Sequence, residues 1–170
     1  MRRVLALSLI GGWSFLLGCG GGAGGGGGGG GASARCGPDA EEPLDPGSVQ
    51  HLLPGAPEPA YSTDPPTSGP HLSGGAPHGA RDNPVARPAQ VALLEEGGVM
   101  LQYRDLPPAD VRRLRTLSQR QVVVAPNPGL TSPVIATAWR HRLACGGANG
   151  PALDFLERFV DTHKGKGPDQ

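Results

Sequence analysis

The stretch "VALLEEGGVMLQY", residues 91–103, decides the fold class because apolar residues stand on both sides of a glycine pair. Gly97 and Gly98 supply the permissive backbone that a tight reversal needs, so we interpret the stretch as two strands around a turn. A single strand bent at a bulge is the alternative. The stretch therefore predicts the first strands of a mainly antiparallel sheet.

The segments that follow predict two helices and two further strands. "LPPADVRRLRTLSQRQ", residues 106–121, is typical of a helix with prolines in its first turn. "QVVVAP", residues 121–126, and "VIATAWR", residues 134–140, predict strands, and "PALDFLERFVDTHKGKG", residues 151–167, predicts the second helix. The order predicts an α+β domain: a small, mainly antiparallel sheet with two helices and a long loop rich in proline and glycine.

The N-terminus has the pattern of a secretory leader. Two arginines precede an apolar run at residues 4–17, which is shorter than the roughly 20 residues of a membrane span and suits a signal peptide. The run ends in "LLGC", residues 16–19, which resembles the lipobox of bacterial lipoproteins. This resemblance implies acylation of Cys19 and an extracytoplasmic protein that is lipid-anchored to the cell membrane, or to the outer membrane in a Gram-negative organism. An ordinary secretory signal is the alternative.

Glycine composition indicates how the rest of the chain is organised. Residues 20–31 are eleven glycines and one alanine, a composition that behaves as a flexible tether. The predicted segments are a signal peptide at 1–18, the lipidated cysteine and tether at 19–35, an irregular extension at 36–60 and the α+β domain at 61–170. The net charge is zero, so no basic surface for nucleic acid is expected. The expected partners are the membrane, through acyl chains on Cys19, and an envelope protein.

Two cysteines remain once Cys19 is assigned to lipid. Cys36 and Cys145 would share an oxidising compartment, where a disulfide between them is the simplest outcome. Two thiolate metal ligands are the alternative.

The loop "YSTDPPTSGPHLSGGAPHGA", residues 61–80, permits several interpretations. It could be a rigid surface loop that His71 pins to the sheet, because prolines fix φ and hydroxyl side chains bond nearby backbone. It could also carry a metal site of His71 and His78, completed by Glu95 or Glu96, which is a ligand set that zinc or copper accepts.

Two more candidates concern copper and catalysis. Met100 could be a soft copper ligand, although a methionine in a strand is more often core. Ser68, His71 and Glu95 include the residue types of a nucleophile, a base and an orienting group. However, "TSGPH" is not a nucleophile elbow, and adjacent glutamates on a strand point to opposite faces. We therefore expect no enzymatic activity.

Several short motifs resemble one uncharacterised family of bacterial secreted, lipid- or membrane-anchored proteins, typified by "PPTSGPH" and "HNLEHGG". The matching strings here are "PPTSGPH" at 65–71, "LEEGG" at 94–98, "VVVAP" at 122–126, "TAW" at 137–139 and "KGPD" at 166–169. Where the family motif has two histidines, this chain has Ala92 and Glu96. The resemblance thus implies that only part of any family histidine site is kept, and it implies no established activity.

These observations predict an envelope-anchored lipoprotein that acts as a non-enzymatic binding or structural module. The alternative prediction is an extracytoplasmic copper- or zinc-binding protein with its site around His71.

Overall fold

The computed structural model describes residues 35–168 of the 170-residue chain. These residues belong to one compact unit with three helices and seven strands. The helices are α1 Arg87–Glu95, α2 Pro108–Arg115 and α3 Gly150–His163. The strands are β1 Ala40–Glu41, β2 His51–Leu52, β3 His71–Leu72, β4 Val99–Tyr103, β5 Val122–Pro126, β6 Val134–Ala138 and β7 His141–Cys145. The predicted signal peptide, Cys19 and the glycine run lie outside the described residues.

The main sheet has five strands in the order β1-β7-β6-β4-β5. Three of its neighbouring pairs are antiparallel, and β4 with β5 is parallel. The parallel pair exists because α2 carries the chain between the two strands, as parallel neighbours require a crossover. The α+β class and the mainly antiparallel sheet are therefore confirmed. β2 and β3 form a separate, parallel two-stranded pair.

Apolar side chains alternate between the two faces of the main sheet. Val99 and Leu101 of β4 belong to a cluster with Leu156 and Phe159 of α3, and Leu114 of α2 belongs to the same cluster. Met100, between them on the opposite face, packs with Leu93 and Leu94 of α1. The sheet is thus covered by α2 and α3 on one face and by α1 on the other.

The predicted hairpin at residues 91–103 is wrong in its first half, which belongs to α1, so the described residues contain three helices rather than two. The sequence hides this helix because residues 91–94 are all buried, which removes the helical alternation of apolar and polar positions. Ala, Leu, Gln and Glu are good helix formers, and Pro88 suits the first turn.

The glycine pair caps this helix rather than turning a hairpin. Gly97 has φ +77° and its N–H donates to Leu94 O at 3.0 Å. The N–H of Gly98 donates to Leu93 O at 2.8 Å. This pair of hydrogen bonds is a Schellman motif, which needs a left-handed residue where Gly97 stands.

The chain after residue 134 also differs from the prediction, because it forms two strands instead of one. The strand predicted at 134–140 ends at Ala138, and Arg140 turns the chain with φ +60° into β7, which the sequence analysis did not predict. β7 lies between β6 and β1.

The segment 36–60, predicted to be irregular, is joined to the sheet. β1 pairs with β7, so that Glu41 lies opposite His141. The predicted disulfide joins Cys36 to Cys145, at the end of β7, with an Sγ–Sγ distance of 2.01 Å. Across residues 35–168, no helix is both long enough and apolar enough to cross a membrane.

Candidate metal centre

The loop before β3 is buried from Pro65 to His71, and a carboxylate holds it in place. Asp45 Oδ2 accepts hydrogen bonds from the N–H and the hydroxyl of Ser62, each at 2.8 Å. The Asp45 N–H donates to Ser68 Oγ at 2.9 Å, within the same loop. The loop is therefore a fixed part of the interior rather than a surface excursion.

The electrostatics of this anchor favour the charged form of Asp45. Burial would raise the pKa of its carboxyl, but hydrogen bonds donated by Gly47 N–H and by the hydroxyl and N–H of Ser62 outweigh burial and hold the pKa below its ordinary value. Tyr61 donates its hydroxyl to Pro70 O at 2.8 Å. Burial, followed by the negative charge of Glu58, raises the pKa of Tyr61 to about 12, so this hydrogen bond persists at any ordinary pH.

A glycine permits the turn that delivers the functional side chain. Gly69 has φ +133°, and a Cβ at this position would lie 2.7 Å from Cδ1 of Tyr61. Only a residue without a side chain therefore fits between Tyr61 and the turn. The carbonyl of Gly69 faces the ring of His71, two residues later.

His71 is completely buried and held by both its backbone and its ring. Its N–H donates to Gln50 O at 3.1 Å, which fixes β3 against β2. Its ring Nδ1 lies 2.9 Å from Gly69 O. Because a carbonyl oxygen only accepts, Nδ1 is the protonated nitrogen, and in the neutral ring Nε2 carries the lone pair. This is the arrangement that orients histidine as a metal ligand.

The lone-pair nitrogen of His71 faces a carboxylate. Nε2 lies 2.6 Å from Glu95 Oε2. The contact is not aligned as a hydrogen bond, so Nε2 has no hydrogen-bond partner among the described residues. A nitrogen lone pair and a carboxylate oxygen this close require a cation between them or beside them, either a proton or a metal ion.

His51 supplies a second imidazole at the same place. It pairs with His71 across β2 and β3, and the two rings meet edge to face with centroids 4.8 Å apart. His51 is exposed, whereas His71 is buried. One ligand atom each from His51, His71 and Glu95 lie within 4.8 Å of one another.

Glu95 is the last residue of α1, and the glycine cap that ends the helix fixes its position. Its side chain is 33% exposed. A cavity of about 490 Å³ opens beside it, lined also by His51, Trp139 and Arg140. His51 and Glu95 are therefore reachable from solvent at this cavity, whereas His71 is buried.

Two imidazoles and one carboxylate are a ligand set for zinc or copper(II). Ligands of a tetrahedral zinc ion, bound at about 2.0–2.1 Å, lie about 3.3 Å apart. The contact between His71 and Glu95 is shorter, and the partly exposed Glu95 side chain is the one free to adjust. A fourth position would face the cavity, as in zinc sites that keep one open position.

The other predicted ligands lie elsewhere. His78 is exposed, and its Nδ1 donates to Arg120 O at 3.0 Å. His78 and Glu96 line a different cleft, together with Gln121 and other residues. The structure thus brings together His71 and Glu95 of the four predicted residues and separates His78 and Glu96 from them. Glu95 and Glu96 are adjacent, but their side chains lie at different clefts because the two residues occupy successive positions at the end of α1.

The remaining candidates have other roles. Met100 is fully buried in the core beneath α1, as a methionine in a strand usually is. Ser68 Oγ accepts a hydrogen bond from the Asp45 backbone, and no hydrogen bond joins it to His71 in the described part of the chain. This arrangement does not activate a serine nucleophile.

Sequence reasoning missed His51. It stands 20 residues before His71, and only the pairing of two short strands brings the rings together. The sequence predicts an irregular segment at residues 36–60, and nothing in it specifies a partner for a strand there.

The loop, the three helices and strands β3 to β7 fall within the match to one family model, whereas β1 and β2 lie before it. The model of a protein family of unknown function, DUF3105, matches residues 56–170. The chain belongs to the DUF3105 family. His71 and Glu95 lie inside the range matched to DUF3105, whereas His51 lies before it. No curated protein and no solved structure matches this chain.

Proposed function

We propose that this protein is a metal-binding module that holds zinc or copper(II) through His51, His71 and Glu95. One observation carries the proposal: the buried Nε2 of His71 has no aligned hydrogen bond and faces a carboxylate oxygen at 2.6 Å. A buried polar atom without a partner is costly in free energy. A metal ion would satisfy this nitrogen and the carboxylate together.

The loop supports the proposal because it orients the ligand before any ion arrives. Its hydrogen bonds to Asp45 and the Gly69 carbonyl fix the ring of His71 and its tautomer. A ring held in this way loses little conformational freedom on binding. The exposed His51 can close onto an ion that enters from the adjoining cavity.

Location is a second part of the proposal. The leader and its "LLGC" ending support lipid anchoring at Cys19 and exposure outside the cytoplasm. The Cys36–Cys145 disulfide supports the same location, because disulfides persist mainly in oxidising compartments. The module would then meet metal ions of the envelope rather than the cytosolic pool.

The test uses the full chain, purified without a histidine tag and dialysed against Zn²⁺ and, separately, Cu²⁺. Elemental analysis of the protein should show one equivalent of metal fewer in His51→Gln than in the unaltered chain. His78→Gln is the matched control, because His78 is also exposed but lies at another cleft. Equal metal content in His51→Gln and His78→Gln would refute this site.

A non-enzymatic docking role is a second candidate function, favoured by exposed apolar side chains beside the site. Val49 is 87% exposed, Leu53 79% and Leu44 52%. Leu44 and Val49 line the same cavity as His51 and Glu95, and neighbouring exposed apolar residues are typical of surfaces that contact another protein. A photo-crosslinker at position 49 should capture an envelope protein, and Leu44→Ser should reduce the yield. Phe155→Ser, at an exposed position on α3, serves as the control.

A further inference from the structure

A second cluster of metal-ligating side chains lies where three parts of the chain meet. Asp39 belongs to the N-terminal segment just before β1, His141 is the first residue of β7, and His163 is the last residue of α3. This cluster shares no residue with His51, His71 and Glu95. Its three side chains therefore offer a separate ligand set.

Both histidines of the cluster contact the carboxylate of Asp39. Asp39 Oδ1 lies 3.2 Å from His141 Nδ1, and Asp39 Oδ2 lies 2.6 Å from His163 Nε2. The two imidazole rings face each other with centroids 4.2 Å apart and planes inclined by 33°. One ligand atom from each of the three side chains lies within 4.8 Å of the others. Ligands of a tetrahedral zinc ion lie about 3.3 Å apart, so small side-chain adjustments would complete such a site.

One ligand is fixed and the other two are accessible. His163 is 6% exposed, and its ring packs on Phe159 with centroids 4.5 Å apart. His141 and Asp39 have side chains that are 32% and 38% exposed. Both histidines line a cavity of about 270 Å³, through which an ion and a water ligand can enter.

The charges around the cluster are compatible with a cation. Arg140 and Lys166 also line the cavity. Arg140 Nη2 lies 2.7 Å from Glu41 Oε1, so the charge of Arg140 is balanced locally. The carboxylate of Asp39 is the anion in direct contact with both imidazoles. Both rings donate hydrogen bonds to Asp39, so a divalent ion bound there would replace these two protons and meet two nitrogen donors and one negative oxygen, the set that zinc accepts.

We propose that Asp39, His141 and His163 form a second metal site, which binds zinc and fastens the N-terminal segment to β7 and α3. Its ligands come from three elements that are distant in the chain, so an ion held there would act as a cross-link. The disulfide at Cys36 joins the same segment to the other end of β7. The ion would therefore hold the N-terminal segment in place, whereas the site at His71 adjoins the larger of the two cavities.

The number of zinc ions bound per full chain tests the second site. The unaltered chain, loaded with Zn²⁺ alone and dialysed, should retain two equivalents by elemental analysis. Asp39→Asn and His163→Gln should each retain one, His51→Gln should retain one, and the double variant Asp39→Asn/His51→Gln should retain none. Zinc affinity at the second site should fall by more than about 100-fold in Asp39→Asn, beyond the 10- to 100-fold that loss of a residue supporting a ligand costs.

Two outcomes separate the two sites. If Asp39→Asn and His163→Gln keep the zinc content of the unaltered chain while His51→Gln loses one equivalent, the second site is refuted and the first stands. If His51→Gln loses nothing while Asp39→Asn loses one equivalent, the first site is refuted and the second stands.

Thermal unfolding distinguishes a metal ligand from a residue needed only for folding. EDTA should lower the Tm of the zinc-loaded His51→Gln chain, because its remaining ion binds at the second site. In Asp39→Asn/His51→Gln the same EDTA treatment should leave the Tm unchanged, because this variant holds no ion at either site. The comparison is made within one variant, so a lower starting Tm does not affect it. An equal EDTA effect in both variants would overturn the assignment of Asp39.

Discussion

Nε2 of His71 lies 2.6 Å from Oε2 of Glu95, and this contact joins the buried loop to the end of α1. The two side chains are positioned independently: a hydrogen bond from the Asp45 N–H holds the loop, the Gly69 carbonyl accepts a hydrogen bond from the ring of His71, and a glycine cap ends the helix. The pair therefore exists before a ligand binds. The first prediction concerns this contact.

Replacing Glu95 by Gln should weaken zinc binding at the His71 site by more than tenfold without unfolding the chain. The amide keeps the size of the side chain but removes the negative oxygen that a zinc ligand needs. Competition with a coloured chelator measures the affinity, and circular dichroism measures the fold. Glu96→Gln is the matched control, since Glu96 is the adjacent, exposed glutamate that lies at another cleft. If the two variants bind zinc equally well, Glu95 is not a ligand.

Asp45→Asn should destabilise the chain by about 1.5–3 kcal/mol at pH 7, the usual contribution of hydrogen bonds to a charged group. The carboxyl of Asp45 has a pKa below its ordinary value because hydrogen bonds from Gly47 and Ser62 outweigh the effect of burial. Its stabilisation is therefore complete above about pH 5 and is lost as the pH falls through the unfolded value, about 3.9, to the native one.

Urea unfolding at pH 7 and pH 3 measures this effect. The free energy of unfolding should fall less between these pH values in Asp45→Asn than in the unaltered chain. Asp161→Asn, at an exposed position on α3, should keep the original fall. An unchanged fall in Asp45→Asn would contradict the predicted role of its charge.

Gly69→Ala should destabilise the chain and weaken metal binding together. The new methyl group would lie 2.7 Å from Cδ1 and 3.0 Å from Cε1 of Tyr61, at a backbone with φ +133°. Overpacking of this kind costs about 1–3 kcal/mol, and the displaced Gly69 carbonyl would release the ring of His71.

Gly74→Ala provides the matched control for Gly69→Ala. Gly74 has φ +87°, but nothing lies within 4 Å of an added Cβ. This control therefore carries backbone strain without a clash. Urea unfolding and zinc titration of both variants separate the two effects, and equal losses would show that crowding against Tyr61 does not matter.

Removal of the disulfide in Cys36→Ser/Cys145→Ser should lower the free energy of unfolding by about 2–4 kcal/mol. The bond links residues separated by 109 positions, so it closes a long loop in the unfolded chain. Zinc affinity at Asp39, His141 and His163 should also fall, because Asp39 lies three residues after Cys36. Reductant should reproduce both changes in the unaltered chain and change nothing in the variant. Full stability of the variant would contradict the prediction.

The elements that could be predicted from the sequence are those whose apolar residues mark one face of a helix or form a continuous buried strand. α2, α3, β5 and β6 follow from such patterns. α1 did not, because both the loop and the sheet bury it, and its glycine cap has the composition of a hairpin turn. β7 was not predicted because "HRLAC" begins with His141 and Arg142, which are only partly buried, so the segment lacks the apolar run of a buried strand.

Two of the three candidate ligands at the first site were predicted from the sequence, and the third was missed for a topological reason. His71 and Glu95 belong to motifs that stand out by composition. His51, His141, His163 and Asp39 belong to no such motif, since their significance depends on which strands pair. The pairings β2 with β3 and β1 with β7 join residues far apart in the chain. Local sequence patterns carry no information about such partners.

The disulfide at the start of the folded unit also determines how the protein bears mechanical load. A pull on the N-terminal segment reaches Cys36 and passes through the covalent bond into β7, next to the centre of the sheet. The chain after Cys36, which includes Asp39, β1 and His51, does not lie on this path. A pull on the N-terminus therefore does not separate β1 from β7 residue by residue. A protein tethered by its N-terminus would thus keep its two histidine clusters intact under drag.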